Sequence, residues 1–179
     1  MSADEDDVRR DAAEDGDNEL TGKKKFTGQL KLTGDALEGY APDEIVKITG
    51  QVVFTSPITA TPKCRLRITG QVVAPEGSQR LLAPAIMKMT GQMVHYPDGV
   101  ELRIVLGKET FDQAFFEAMT GKELLINLGK VFLGPDVQAQ SLKEKIHSII
   151  NLGKIRCSKS LRPFVQLVCR DNLGKIEVE

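Results

Sequence analysis

Four lysines come directly after four glycines at nearly equal steps. Lys108, Lys130, Lys154 and Lys175 follow Gly107, Gly129, Gly153 and Gly174. If each step is one layer of a stacked fold, the ammonium groups line up about 4.8 Å apart, the normal strand spacing. Such a row is a predicted anion-binding column for nucleic acid, phospholipid head groups or an acidic protein segment. Like charges opposite one another on neighbouring strands repel, so the row needs something to offset it. The competing structural reading is a row of long side chains that splay into water.

The remaining reactive side chains form no recognisable constellation. Ser158, Ser160 and His147 offer a hydroxyl and a base, but no Gly-x-Ser-x-Gly elbow accompanies them. Cys64, Cys157 and Cys169 are odd in number and lack metal-type spacing, and His95 and His147 lie far apart. That usage fits a reducing compartment, with no disulfide framework and no zinc site. Gly22-Lys23-Lys24-Lys25 lacks the glycine-rich stretch and the Lys-Ser/Thr ending of a phosphate loop. His95-Tyr96-Pro97-Asp98-Gly99 reads as a turn. We therefore expect no enzyme, no catalytic residue, no cofactor, no metal and no small-molecule substrate.

What would position the lysines is a repeat. Ile48-Thr49-Gly50-Gln51-Val52-Val53 recurs unchanged at Ile68–Val73 and nearly so at Met89–Val94 and Phe26–Leu30. Asn-Leu-Gly-Lys then recurs at Asn127, Asn151 and Asn172. Eight glycines mark the series: Gly28, Gly50, Gly70, Gly91, Gly107, Gly129, Gly153 and Gly174, at steps of 22, 20, 21, 16, 22, 24 and 21. A fixed period near 21 implies a solenoid, in which each unit buries its apolar face by stacking on its neighbours. The predicted fold is a β-rich repeat solenoid, parallel β-helix-like, with about eight units. Its glycine column is expected to run the whole length as one parallel sheet. The Gln column (Gln29, Gln51, Gln71, Gln92) can form amide ladders, with solvated turn residues as the competing reading, and the Asn column is expected to be an inward ladder that satisfies turn groups.

Residues 26–106 read as short strands, with an extended opposite wall. Pro57, Pro75 and Pro97 fall where strands end. Residues 107–179 alternate helix and strand. Thr110-x-x-Gln113 and Ser141-x-x-Glu144 have capping-box spacing, which predicts helices at 110–120 and 140–149, with a third at 162–169. In its mixed part the chain resembles leucine-rich-repeat proteins in architecture, whose units run to 20–29 residues. It departs from their consensus, since Asn127, Asn151 and Asn172 precede the Leu-Gly. The all-β part resembles bactofilins through its Val/Ile-x-x-Gly-x-Val rhythm and charged tail, a resemblance that implies a filament-forming β-solenoid. The helices and the longer, uneven repeat depart from that family.

The net charge of -1 hides a split. Residues 1–19 hold nine acids and two arginines, a balance of -7; of the chain's 25 acids and 24 Lys plus Arg this leaves 16 and 22 in residues 20–179, or +6. The acidic stretch has no apolar periodicity and is expected to be a disordered tail that competes with outside anions. Residues 20–179 are expected to form a single domain. The start is the reverse of a signal peptide and no apolar run is long enough to span a bilayer, so a cytoplasmic location is expected. Leu173, Lys175, Ile176 and Val178 form the last strand-like run, a predicted self-association edge. The expected partner is a second copy, in a homo-oligomer; nucleic acid or a membrane surface is the weaker expectation.

Overall fold

The structure, a computed structural model, describes residues 24–179. The expectation of a disordered acidic tail over 1–19 lies outside them. The described chain is rich in strands, which form three four-stranded parallel sheets, with a few short helices.

The first sheet holds the Thr-Gly-Gln copies. Strands β1 (Lys24–Leu32), β2 (Ile45–Phe54), β3 (Arg65–Pro75) and β4 (Ile86–Tyr96) pair in sequence order. Their register sets Gly28, Gly50, Gly70 and Gly91 side by side. Apolar residues alternate along each strand. Val46, Ile48, Val52 and Phe54 point to one face, and the connecting segments cover it with Leu37, with Ile58 and Cys64, and with Leu82 and Ala85. The connections are turns, loop and short helices rather than the predicted extended wall. One such helix, α1 (Gln79–Leu82), sits between 3-10 turns at Glu76–Ser78 and Ala83–Ala85.

The second half of the chain builds a different unit of strand, tight turn, strand and helix. β5 (Glu101–Val105) turns through Leu106-Gly107 into β6 (Lys108–Phe111), and α2 (Gln113–Ala118) follows. The next units are β7 (Glu123–Asn127), β8 (Lys130–Leu133) and α3 (Ala139–Lys145), then β9 (Ile146–Asn151), β10 (Lys154–Cys157) and α4 (Arg162–Val168). β11 (Cys169–Asn172) and β12 (Lys175–Val178) finish the series. Odd strands β5-β7-β9-β11 form the second sheet and even strands β6-β8-β10-β12 the third. Each helix is too short to persist alone. Each is held by one buried residue, Phe116, Leu142 or Val165, set in the core that both sheets share.

Helix boundaries differ from the sequence reading in ways the caps explain. Asp112, not Thr110, caps α2, its carboxylate accepting from the Phe115 N–H at 2.8 Å, while Thr110 stays in β6. α3 stops at Lys145, and Ile146–Asn151 pairs as strand β9. Its β-branched Ile146, Ile149 and Ile150 favour the sheet.

The larger correction concerns the glycines. The eight do not share one sheet. Gly28, Gly50, Gly70 and Gly91 lie within strands at positive φ, whereas Gly107, Gly129, Gly153 and Gly174 sit in the turns that join the second sheet to the third. The short step of 16 is where the chain leaves the first stack of strands and begins another beside it. Val53, Val73 and Val94 on the outer face of the first sheet pack against Leu124, Ile126 and Ile150 of the second. Burying a side chain of this size contributes roughly 1.5–3 kcal/mol. That exceeds the ~1 kcal/mol net of a typical hydrogen bond, so apolar burial dominates the union of the stacks.

Candidate functional site: two basic faces and an open strand edge

The predicted lysine column is in register. Lys108 pairs with Lys130, Lys130 with Lys154 and Lys154 with Lys175 along β6, β8, β10 and β12. Two positions on, the same outer face carries Thr110, Phe132, Arg156 and Glu177. This second column supplies the offset. Glu177 pairs with Lys154 at 2.8 Å and with Arg156 at 3.1 Å, and those two cations, Lys154 foremost, hold its carboxyl below the usual range. Lys108 and Arg156 lie over the Phe132 ring at 4.8 and 5.5 Å. An open depression of about 410 Å³ runs along the turns, lined by Lys130, Lys154 and Lys175 with Gly129, Leu152, Gly153, Leu173 and Gly174. The column is thus a mixed surface, with part of its charge met by Glu177.

Beneath it, Asn127 and Asn151 are fully buried. The Asn127 amide donates to Asn151 at 2.8 Å and the Asn151 amide to Asn172 at 2.7 Å. The same amides also donate to the carbonyls of Lys154 and Lys175. The ladder therefore holds the turns that present the lysines.

A second basic face lies on the first sheet. Lys25, Lys47, Arg67 and Lys88 stand in register, each three residues before the repeat glycine. Thr27, Thr49, Thr69 and Thr90 form the next column and are exposed. A depression of about 290 Å³ is lined by Lys47, Arg67 and Lys88 with Thr49, Thr69, Thr90 and Ile68. No acidic side chain is among that described lining. The sequence carried the signal, in Lys/Arg-x-Thr-Gly four times over.

The glycine column divides this face. Beyond it the Gln ladder forms, Gln29 donating to Gln51 at 3.0 Å and Gln51 to Gln71 at 2.7 Å. These amides also reach the other stack: Gln29 donates to the Leu128 carbonyl at 2.6 Å and Gln51 to the Leu152 carbonyl at 3.1 Å. Past the glutamines the face is covered by the second sheet. Before the glycines, Lys25, Lys88 and the four threonines are exposed.

No protein-family model, curated protein or solved structure matches the chain.

The predicted self-association edge maps onto β12 and the turn before it. Leu173 and Ile176 turn their side chains inward, against the two cores, while Lys175 is exposed and Val178 is 37% exposed. What the edge offers is backbone. The Lys175 N–H donates to the Gly153 carbonyl at 2.8 Å and the Glu179 N–H to the Cys157 carbonyl at 3.1 Å. Strand alternation then aims the N–H groups of Ile176 and Val178 away from β10, and β10 is the one described partner of β12. Leu167 of α4, near the same end, is 73% exposed.

The tempting single residues have local partners. The Ser158 hydroxyl contacts Ser160 at 3.0 Å and accepts from the Leu161 N–H at 3.3 Å, ahead of α4. His147 contacts the adjacent Ser148. Cys64, Cys157 and Cys169 are free thiols; burial pushes all three up, Cys169 to about 11, which keeps them protonated and unreactive near neutral pH. Among the described residues no cluster of His, Cys, Asp and Glu is suited to a metal ion, and no helix is long and apolar enough to cross a membrane.

Proposed function

We propose that this chain is a non-enzymatic assembly protein, a β-solenoid of two joined stacks that self-associates through the open edge of β12. The solenoid reading rests on the layer-by-layer register of the repeat residues and on side-chain ladders that climb both stacks. One observation carries the self-association: Ile176 and Val178 direct N–H groups outward from a strand paired on one side among the described residues. An unpaired edge is a template for another strand. The occupant we assign is a second copy, because its strands share the same 4-residue length, register and ladder chemistry as β12. The exposed Leu167 adds apolar surface to that contact.

The test is the mass of the protein across a concentration series by light scattering. Val178→Pro removes an outward donor while leaving the bonds to β10 intact, so the variant should stay folded and lose self-association. Wild-type protein that remains monomeric at millimolar concentration would refute the reading.

A second reading is favoured by the register of the four lysines: an anion-binding column at Lys108, Lys130, Lys154 and Lys175. Contacts of this kind weaken steeply with ionic strength. Glu177, paired to Lys154, makes it the lesser reading.

A further inference from the structure

The sheet face that the sequence did not single out has one occupant that matches it in charge, position and reach. We propose that the chain's own acidic N-terminal segment, residues 1–19, docks on the lysine–threonine face of the first sheet and serves as its built-in anionic ligand.

Charge comes first. The segment carries a balance of -7, and the face presents Lys25, Lys47, Arg67 and Lys88 beside four threonines, with no acid in the described lining of its depression. Ammonium, guanidinium and hydroxyl groups all donate hydrogen bonds, and carboxylates accept them. The same composition disfavours other anions. The described lining holds no aromatic ring to stack a nucleic-acid base and no row of large apolar side chains to enter a membrane.

Position comes second. Lys25 heads the basic column and lies in the opening residues of β1, so residues 1–23 join the fold beside this face. The column continues across β2, β3 and β4, about 4.8 Å per strand or roughly 14 Å in all. About five extended residues span that distance. The acidic stretch is long enough to pass every cation with residues to spare. The far half of the same face is covered by the second sheet, so among the described residues the near half is where the segment has room.

The docking does not depend on the self-association reading, since β12 belongs to a different sheet. It also differs from a tail that screens the lysine column of β6, β8, β10 and β12.

Zero-length carbodiimide cross-linking of the full chain distinguishes these cases, because it joins a carboxylate only to an amine in contact. Peptide mapping should find acids of residues 4–19 linked to Lys47 and Lys88 within one molecule, as a mixture of light and heavy isotope samples would establish. In 1 M salt, where the screening length falls to about 3 Å, the yield should drop at least about tenfold. Lys47→Glu, which sets a like charge in the path of the segment, should lower the yield of links to Lys88 while keeping the wild-type melting profile. Links to Lys130, Lys154 or Lys175 instead, links only between molecules, or no links from residues 4–19 would each overturn the proposal.

Discussion

The side-chain amide of Gln51 donates to the backbone carbonyl of Leu152 at 3.1 Å, across 101 positions of sequence. The same amide donates to Gln71 at 2.7 Å within its own sheet. One side chain thus belongs to the ladder of one stack and to the seam between both. Gln51→Leu keeps the volume and removes both donors. Leaving the Leu152 carbonyl unmet should lower stability by about 1–3 kcal/mol, read as a shift of the urea midpoint.

The asparagine ladder should be still less tolerant. Asn151 is fully buried, accepts from Asn127, and donates to Asn172 and to the Lys175 carbonyl. Asn151→Leu strands several polar groups at once and is expected to cost on the order of 3 kcal/mol. Asn172→Leu, at an exposed position in the end layer, should cost clearly less. Equal losses from the two variants in denaturant melts would show that the ladder does not act as described.

Gly70 has a φ of +134°, and a Cβ there would overlap the carbonyl oxygen of Gly50 in the layer before. Both the backbone conformation and the space exclude a side chain. Gly70→Ala should therefore destabilise by at least about 3 kcal/mol. Gly39→Ala is the control: nothing lies within 4 Å of a Cβ at that site, and the expected change is within about 0.5 kcal/mol.

Tyr96 gives a pH signature. Its hydroxyl donates to the Phe54 carbonyl at 2.7 Å in a buried site, and burial, with a smaller contribution from Asp98, pushes the phenol up to about 12. The folded value lies above the ordinary 10.0, so the unfolded chain ionises first as pH rises. The stabilisation is complete below pH 10 and is lost on the way to pH 12, by at most about 2.7 kcal/mol. Tyr96→Phe should flatten this slope in alkaline unfolding curves; an unchanged slope would assign it to other groups.

Much of this architecture is legible in the repeat itself. The Thr-Gly-Gln copies align in register as their spelling implies, and the switch from Gln to Lys after the glycine marks the change from one stack to the next. The return of the chain was hidden because both kinds of unit run close to 21 residues. A period reports unit length, not whether a glycine lies inside a strand, as Gly70 does, or in the turn between two, as Gly129 does. The short helix at Gln79–Leu82 was illegible for another reason. Four residues beside Pro84 carry no periodicity, and what holds Leu82 is the sheet beneath it. Of the candidate sites, the lysine column follows from spacing alone. The basic face of the first sheet needed the knowledge that Lys47, Arg67 and Lys88 share a side of the sheet with the valines that are covered.

Those valines bear on how the protein is made. The first sheet is complete once residue 96 has left the ribosome, but the strands that cover Val53, Val73 and Val94 come later. At 5–20 residues per second the 55 residues from Tyr96 to the end of β9 at Asn151 take about 3–11 s to follow. For that interval the nascent first stack carries a strip of valine meant for a partner not yet translated. Newly made copies on one message are at their most adhesive then, and slowing translation beyond residue 96 should lower the yield of soluble protein more than slowing it before.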